Sequence, residues 1–141
     1  MIVFVLRHAD RQPAPKDDLT PAGEKRAELL ARMLAESGIS TAYHSGAVRA
    51  LRTLEPLKQK LGNALTVAGI ESENVQETVD AVKSRPADEI VAVVGHSNTV
   101  EPIIKVLGGG FVGPIGPDEF DKLLILFIDP TGKVTLLKLR Y

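Results

Sequence analysis

The chain has 141 residues, 44% hydrophobic and 25% charged, with a formal net charge of −1. That is the size of one domain with its own core, and it carries no basic excess of the kind that nucleic-acid or membrane-surface binding needs. Cysteine is absent, which excludes disulfides, thiolate zinc sites and a thiol nucleophile; no apolar run is long enough to span a membrane, and Met1 leads into a strand without a basic n-region, so a cytoplasmic protein is expected.

Strand and helix signals alternate along the chain. Residues 2–6 form a continuous apolar run, as in a strand covered on both faces. Residues 9–19 are polar with Pro13 and Pro15, hence a loop. Thr20-Pro21 reads as a helix cap followed by proline at the first helical position. Ala27, Leu30, Ala31 and Leu34 then repeat at the spacing of one buried face, and Gly38 stops the helix. A short strand is expected at 41–44. A second helix is expected over 47–61, with Val48, Leu51, Leu54 and Leu57 inward and Gly62 as its stop.

Beyond it, 65–68 reads as a short strand and Val75, Val79 and Val82 mark a third helix that ends before Pro86. Residues 90–94 are a second fully buried strand. Val100, Ile103, Ile104 and Leu107 mark a fourth helix, with Pro102 in its first turn, where a missing N–H is tolerated. Residues 108–118 are a loop rich in Gly and Pro. Two last strands, 123–128 and 134–139, flank the turn former Asp129-Pro130-Thr131-Gly132. This succession predicts a single three-layer α/β domain over 1–141, its sheet mostly parallel with helices on both faces and an antiparallel edge.

The chemistry concentrates after three of those strands. Arg7-His8 closes the first, Ser45 to Arg49 follows the second, and Gly95-His96-Ser97 closes 90–94. In open α/β sheets, ligands bind beyond the carboxyl ends of the strands. The last two segments also open helices, where free N–H groups favour an anion. Arginine's planar fork suits phosphate, and histidine can serve as nucleophile or proton carrier near neutral pH. Arg7, Arg49, His96 and Ser97 are therefore candidate phosphate ligands around His8.

These segments resemble the histidine phosphatase superfamily, which has the phosphoglycerate-mutase-like fold. Arg7-His8-Ala9 is similar to its RHG signature, and Leu19-Thr20-Pro21-Ala22-Gly23 to its LTxxG helix entry. Ser45 to Ala50, with Thr53, is similar to its S-x-x-x-R-A-x-x-T segment, and Gly95-His96-Ser97 to its second-histidine motif. The resemblance covers essentially the whole chain and points to the short branch that acts on phosphohistidine proteins.

It implies that His8 attacks phosphorus and carries a phosphohistidine, while Arg7, Arg49 and His96 hold the non-bridging oxygens. It implies no metal and no cofactor. The substrate would be a phosphoprotein or a phosphorylated small molecule, with no nucleic-acid or membrane partner. The absence of a large insertion suits an open site. His44 stands where relatives often have serine. The acid that protonates the leaving group has three candidates, Asp10, Glu71 and Glu73. Three alternatives stay open: a non-catalytic phosphate-binding module of the same fold, mutase-type phosphotransfer, and a His8/Asp10/His96 metallohydrolase.

Overall fold

The structure, a computed structural model, describes residues 1–70 and 74–141. Six strands and four helices follow in chain order: β1 (Ile2–Arg7), α1 (Pro21–Leu34), β2 (Thr41–Ser45), α2 (Val48–Leu61), β3 (Thr66–Ile70), α3 (Val75–Lys83), β4 (Ile90–Gly95), α4 (Val100–Val106), β5 (Lys122–Ile128) and β6 (Val134–Arg140). They build one sheet in the order β3-β2-β4-β1-β5-β6. β3, β2, β4 and β1 run parallel, while β5 and β6 add an antiparallel flank. The expected α/β architecture is therefore present, with two antiparallel strands at one side.

Two cores sit on the two faces of the sheet, set by side-chain alternation along the strands. Val3, Val5, Val91, Val93, Leu124 and Leu126 pack with Val79, Val82, Val100, Ile103 and Ile104 from α3 and α4. Leu6, Ala42, Ala92, Val94, Leu123 and Ile125 pack with Leu30, Ala31 and Leu34 of α1 and Ala50, Leu54 and Leu57 of α2. The short side chains Ala42, Ala50 and Ala92 let α2 lie close over the centre of the sheet.

The inward face of α2 differs from the expected one. Leu54 and Leu57 are fully buried, but Val48 and Leu51 are 48% and 38% exposed; Ala50 and Thr53 take the inner positions. Residues 50, 53, 54 and 57 share one helical face. Apolar character alone favoured the longer side chains over a small one and a hydroxyl. The third strand begins one residue later than expected and reaches Ile70.

The parallel arrangement carries the carboxyl ends of β1, β4 and β2 to one edge as immediate neighbours: Arg7 pairs with Gly95, and His44 pairs with Val94. β1 and β2 lie on opposite sides of β4 and lead into α1 and α2 on one face of the sheet, whereas β4 leads into α4 on the other, so the chain leaves neighbouring strands in different directions. Such a crevice is where open α/β sheets take ligands.

Candidate functional site

Two glycines let the loops at this edge approach one another. A Cβ on Gly23 would stand 2.1 Å from the Asp10 carbonyl oxygen. The first turn of α1 therefore packs directly on the chain leaving β1. Thr20 secures the same contact: its N–H donates to the Asp10 carbonyl, and its Oγ1 caps α1 by accepting from Gly23 N at 3.1 Å. A Cβ on Gly95 would fall 2.7 Å from Thr99 Oγ1, the atom that accepts from His96 N at 2.9 Å.

His8 is only 2% exposed. Its N–H donates to the Gly95 carbonyl, and its Nδ1 lies 2.8 Å from the Ala9 carbonyl. A carbonyl only accepts, so Nδ1 carries the proton and Nε2 presents a lone pair. Arg49 Nε, a donor, faces that lone pair at 3.3 Å. Thr53 braces the loop from below: its Oγ1 accepts from Ala9 N at 2.9 Å and donates to the Arg49 carbonyl at 2.8 Å.

Across the site, His96 is 6% exposed. Arg49 Nη2 lies 3.2 Å from its Nδ1, and Ser45 Oγ lies 2.6 Å from its Nε2. Because the guanidinium can only donate, Nδ1 accepts and Nε2–H donates to Ser45. The two imidazoles stand edge to face, with centroids 5.2 Å apart. One edge of Arg49 thus spans both histidines.

Arg7 is held differently. Its Nη1 faces the carbonyls of Gly116, Pro117 and Glu119 at 2.9, 2.9 and 3.0 Å, and its guanidinium stacks over the Phe120 ring at 4.1 Å. Phe120 also packs against His8, centroid to centroid 5.8 Å. Arg7 therefore lines the wall beside the nucleophile, anchored by loop carbonyls that no sequence motif marks. Among the described residues its buried Nε has no hydrogen-bond partner.

The electrostatics follow from this burial. Desolvation is the main cause that pushes His8 down to about 3, with His96, Arg7 and Arg49 adding in the same direction against the Ala9 carbonyl. His8 is therefore neutral at physiological pH. Burial, with Arg11 and Arg49 nearby, also lowers Arg7, which keeps its charge all the same, since a guanidinium starts far above neutral pH.

The other candidates are placed as follows. Asp10 gives its carboxylate to Arg26 at 2.6 Å, and Arg26 also donates to the Tyr141 carbonyl. Glu71 and Glu73 lie outside the described residues. Ser97 is half-buried just past His96, and no side-chain hydrogen bond ties it to His8 or the arginines. His44 turns its Nδ1 to the Ser45 carbonyl and packs over Gly69. Among the described residues no three His, Asp or Glu side chains gather as a metal set.

The N–H groups that open α2 are not free, contrary to expectation. Asp17 Oδ2 accepts from Val48 N at 2.9 Å, and Oδ1 from Arg49 N at 3.1 Å and from Arg49 Nη1 at 2.9 Å. Asp17 and Phe120 are the site neighbours that sequence reasoning missed. Each sits in a loop without periodicity, and only the fold brings them near His8.

Residues 4–73 match the histidine phosphatase superfamily, branch 1. Among curated proteins none matches. Solved structures share the fold over nearly the full length. The protein histidine phosphatase SixA in complex with tungstate superposes with a TM-score of 0.74 at 23% identity, covering 99% of this chain and 97% of that one. A protein assigned as the phosphohistidine phosphatase SixA of Agrobacterium tumefaciens gives 0.71 at 21%, covering 99% and 98%. Phosphoglycerate mutase from Plasmodium falciparum gives 0.71 at 16%, covering 98% and 89%. The same fold thus serves hydrolysis and phosphotransfer, and function has to be argued from the site.

Proposed function

We propose that this protein is a phosphatase that works through a phosphohistidine intermediate on His8, acting on phosphohistidine proteins or small phosphomonoesters. The observation that carries the reading is the neutral His8, its proton committed to the Ala9 carbonyl and its Nε2 lone pair directed at Arg49. A nucleophile must be deprotonated to attack, and burial supplies that state here without a partner base.

In the first step the Nε2 lone pair bonds to phosphorus, and the bond from phosphorus to the leaving oxygen or nitrogen breaks with its electrons on the leaving group. A carboxylic acid among Asp10, Glu71 and Glu73 supplies the proton that the leaving group needs. In the second step water attacks phosphorus, the N–P bond breaks, and inorganic phosphate departs. Arg7, Arg49, His96 and Ser97 hold the non-bridging oxygens throughout. The reaction needs no metal: guanidiniums beside the histidines favour an anion and repel a cation.

Rapid quench with labelled substrate should trap phosphate on His8, and His8→Ala should abolish turnover. Orthovanadate should inhibit and EDTA should not. Activity of His8→Ala within a few-fold of the parent, or loss on chelation restored by zinc or manganese, would overturn the proposal. The likeness to SixA, a protein histidine phosphatase, supports the phosphoprotein branch of the substrate class. Comparing a phosphohistidine protein with aryl and alkyl phosphates decides between the branches.

A further inference from the structure

We propose that Asp17 is a positioning residue for Arg49, gripping one arm of the guanidinium so that its opposite edge faces the two histidines. The inference rests on the reading of Arg49 as part of the oxyanion clamp.

α2 has no cap of its own, because Ala47 stands at its N-cap and has no side-chain acceptor. A carboxylate from the loop before α1 fills that role. Asp17 Oδ1 binds both the backbone N–H and Nη1 of Arg49, while Oδ2 takes Val48 N. The same oxygen therefore ties the two ends of one arginine together. A guanidinium offers donors on fixed edges of a plane. With Nη1 on Asp17, the Nε–Nη2 edge is left for His8 Nε2 and His96 Nδ1, at 3.3 and 3.2 Å. A phosphoryl group bonded to His8 Nε2 would lie against that edge.

The loop delivers Asp17 on a firm base. Arg11 and Leu19 pair across it, Gln12 N donates to the Asp18 carbonyl at 2.8 Å, and Asp18 binds Arg52, one turn along α2, at 2.7 Å. Successive aspartates thus dock on successive arginines of the same helix, and only the first of these arginines reaches the histidines. Asp17 is no proton donor: its hydrogen bonds from Arg49 and Val48 hold the carboxyl down to about 2 against its desolvation, so it is ionised at neutral pH.

The test is a double-mutant cycle on the intact protein, read by orthovanadate binding in a calorimeter and by kcat/KM on an aryl phosphate. Asp17→Ala should weaken orthovanadate binding and kcat/KM at least tenfold when Arg49 is present, and less than twofold in an Arg49→Ala background. Loss of a helix cap alone would lower thermal stability in both backgrounds and could not produce a binding defect that vanishes with Arg49. Equal losses with and without Arg49, or an Asp17→Ala protein that binds orthovanadate like the parent, would each overturn the inference. Turnover by the parent tests the phosphatase reading separately, since the binding cycle is read whether or not turnover occurs.

Discussion

His8 shows how burial can prepare a nucleophile. Although it stands just past a strand end, its imidazole is nearly inaccessible and packs against Phe120 and His96. Its proton affinity falls because water, the best stabiliser of the imidazolium, has been removed. In the unliganded protein the His8 ring signals should therefore stay at their neutral positions when pH is lowered from 8 to 5, followed by NMR; a midpoint near the usual histidine value would refute this. An acid limb of kcat/KM above pH 5 would then belong to another group, the substrate phosphate included. Arg49→Ala and Arg7→Ala should each lose more than tenfold in kcat/KM, by steady-state kinetics on an aryl phosphate. Asp10→Asn should slow alkyl phosphates more than aryl phosphates if Asp10 is the acid. An equal effect on both would assign it to the Arg26 ion pair alone.

Among the elements, α2 does the most to assemble the site. Thr53 and Ala50 face inward because the chain leaving β1 must find a hydroxyl there and the sheet leaves little room; the longer Val48 and Leu51 remain half in solvent. Leu54→Ala should therefore destabilise the protein by about 2–5 kcal/mol, while Leu51→Ala should cost under about 1 kcal/mol, as measured by denaturant unfolding. The reverse order would mean that the helix is rotated about its axis. The first turn of α1 is equally constrained. Gly23→Ala puts a methyl group into the Asp10 carbonyl, which is backbone and cannot swing aside. It should lower thermal stability and kcat/KM together, because the displaced backbone runs on to His8.

For the whole molecule, burial of His8 couples stability to pH. Its folded pKa lies below the unfolded value, falling from 6.5 to about 3. Between those values the unfolded chain binds a proton that the folded chain refuses, so this contribution removes stability as pH falls through that window. At roughly 1.4 kcal/mol per unit, the full swing is on the order of a few kcal/mol. His8→Gln should flatten the acid side of the stability curve, measured by denaturant melts from pH 7 to 4; an unchanged slope would show that His8 is not a source of it. Asp17 acts lower, its folded pKa near 2 against an unfolded 3.8. The stability it contributes is present above the unfolded value and lost as pH falls through the folded one.

Periodicity and cap chemistry determined the alternation of strands and helices, because both are local: Thr20-Pro21 caps α1 wherever the helix goes, and the apolar runs 2–6 and 90–94 suit only covered strands. The motif residues Arg7, His8, Arg49 and His96 were legible for the same reason, each lying at or just past a strand end or at a helix start. Tertiary structure decided what each motif atom faces. Arg7 turned to the carbonyls of 116–119, Asp10 went to Arg26, and Asp17 closed the helix end expected to stay open for an anion. These partners lie up to 112 residues away in the chain. No local signal encodes such pairings. They arise when the strand order β2-β4-β1 places three loops side by side and every buried donor must find an acceptor.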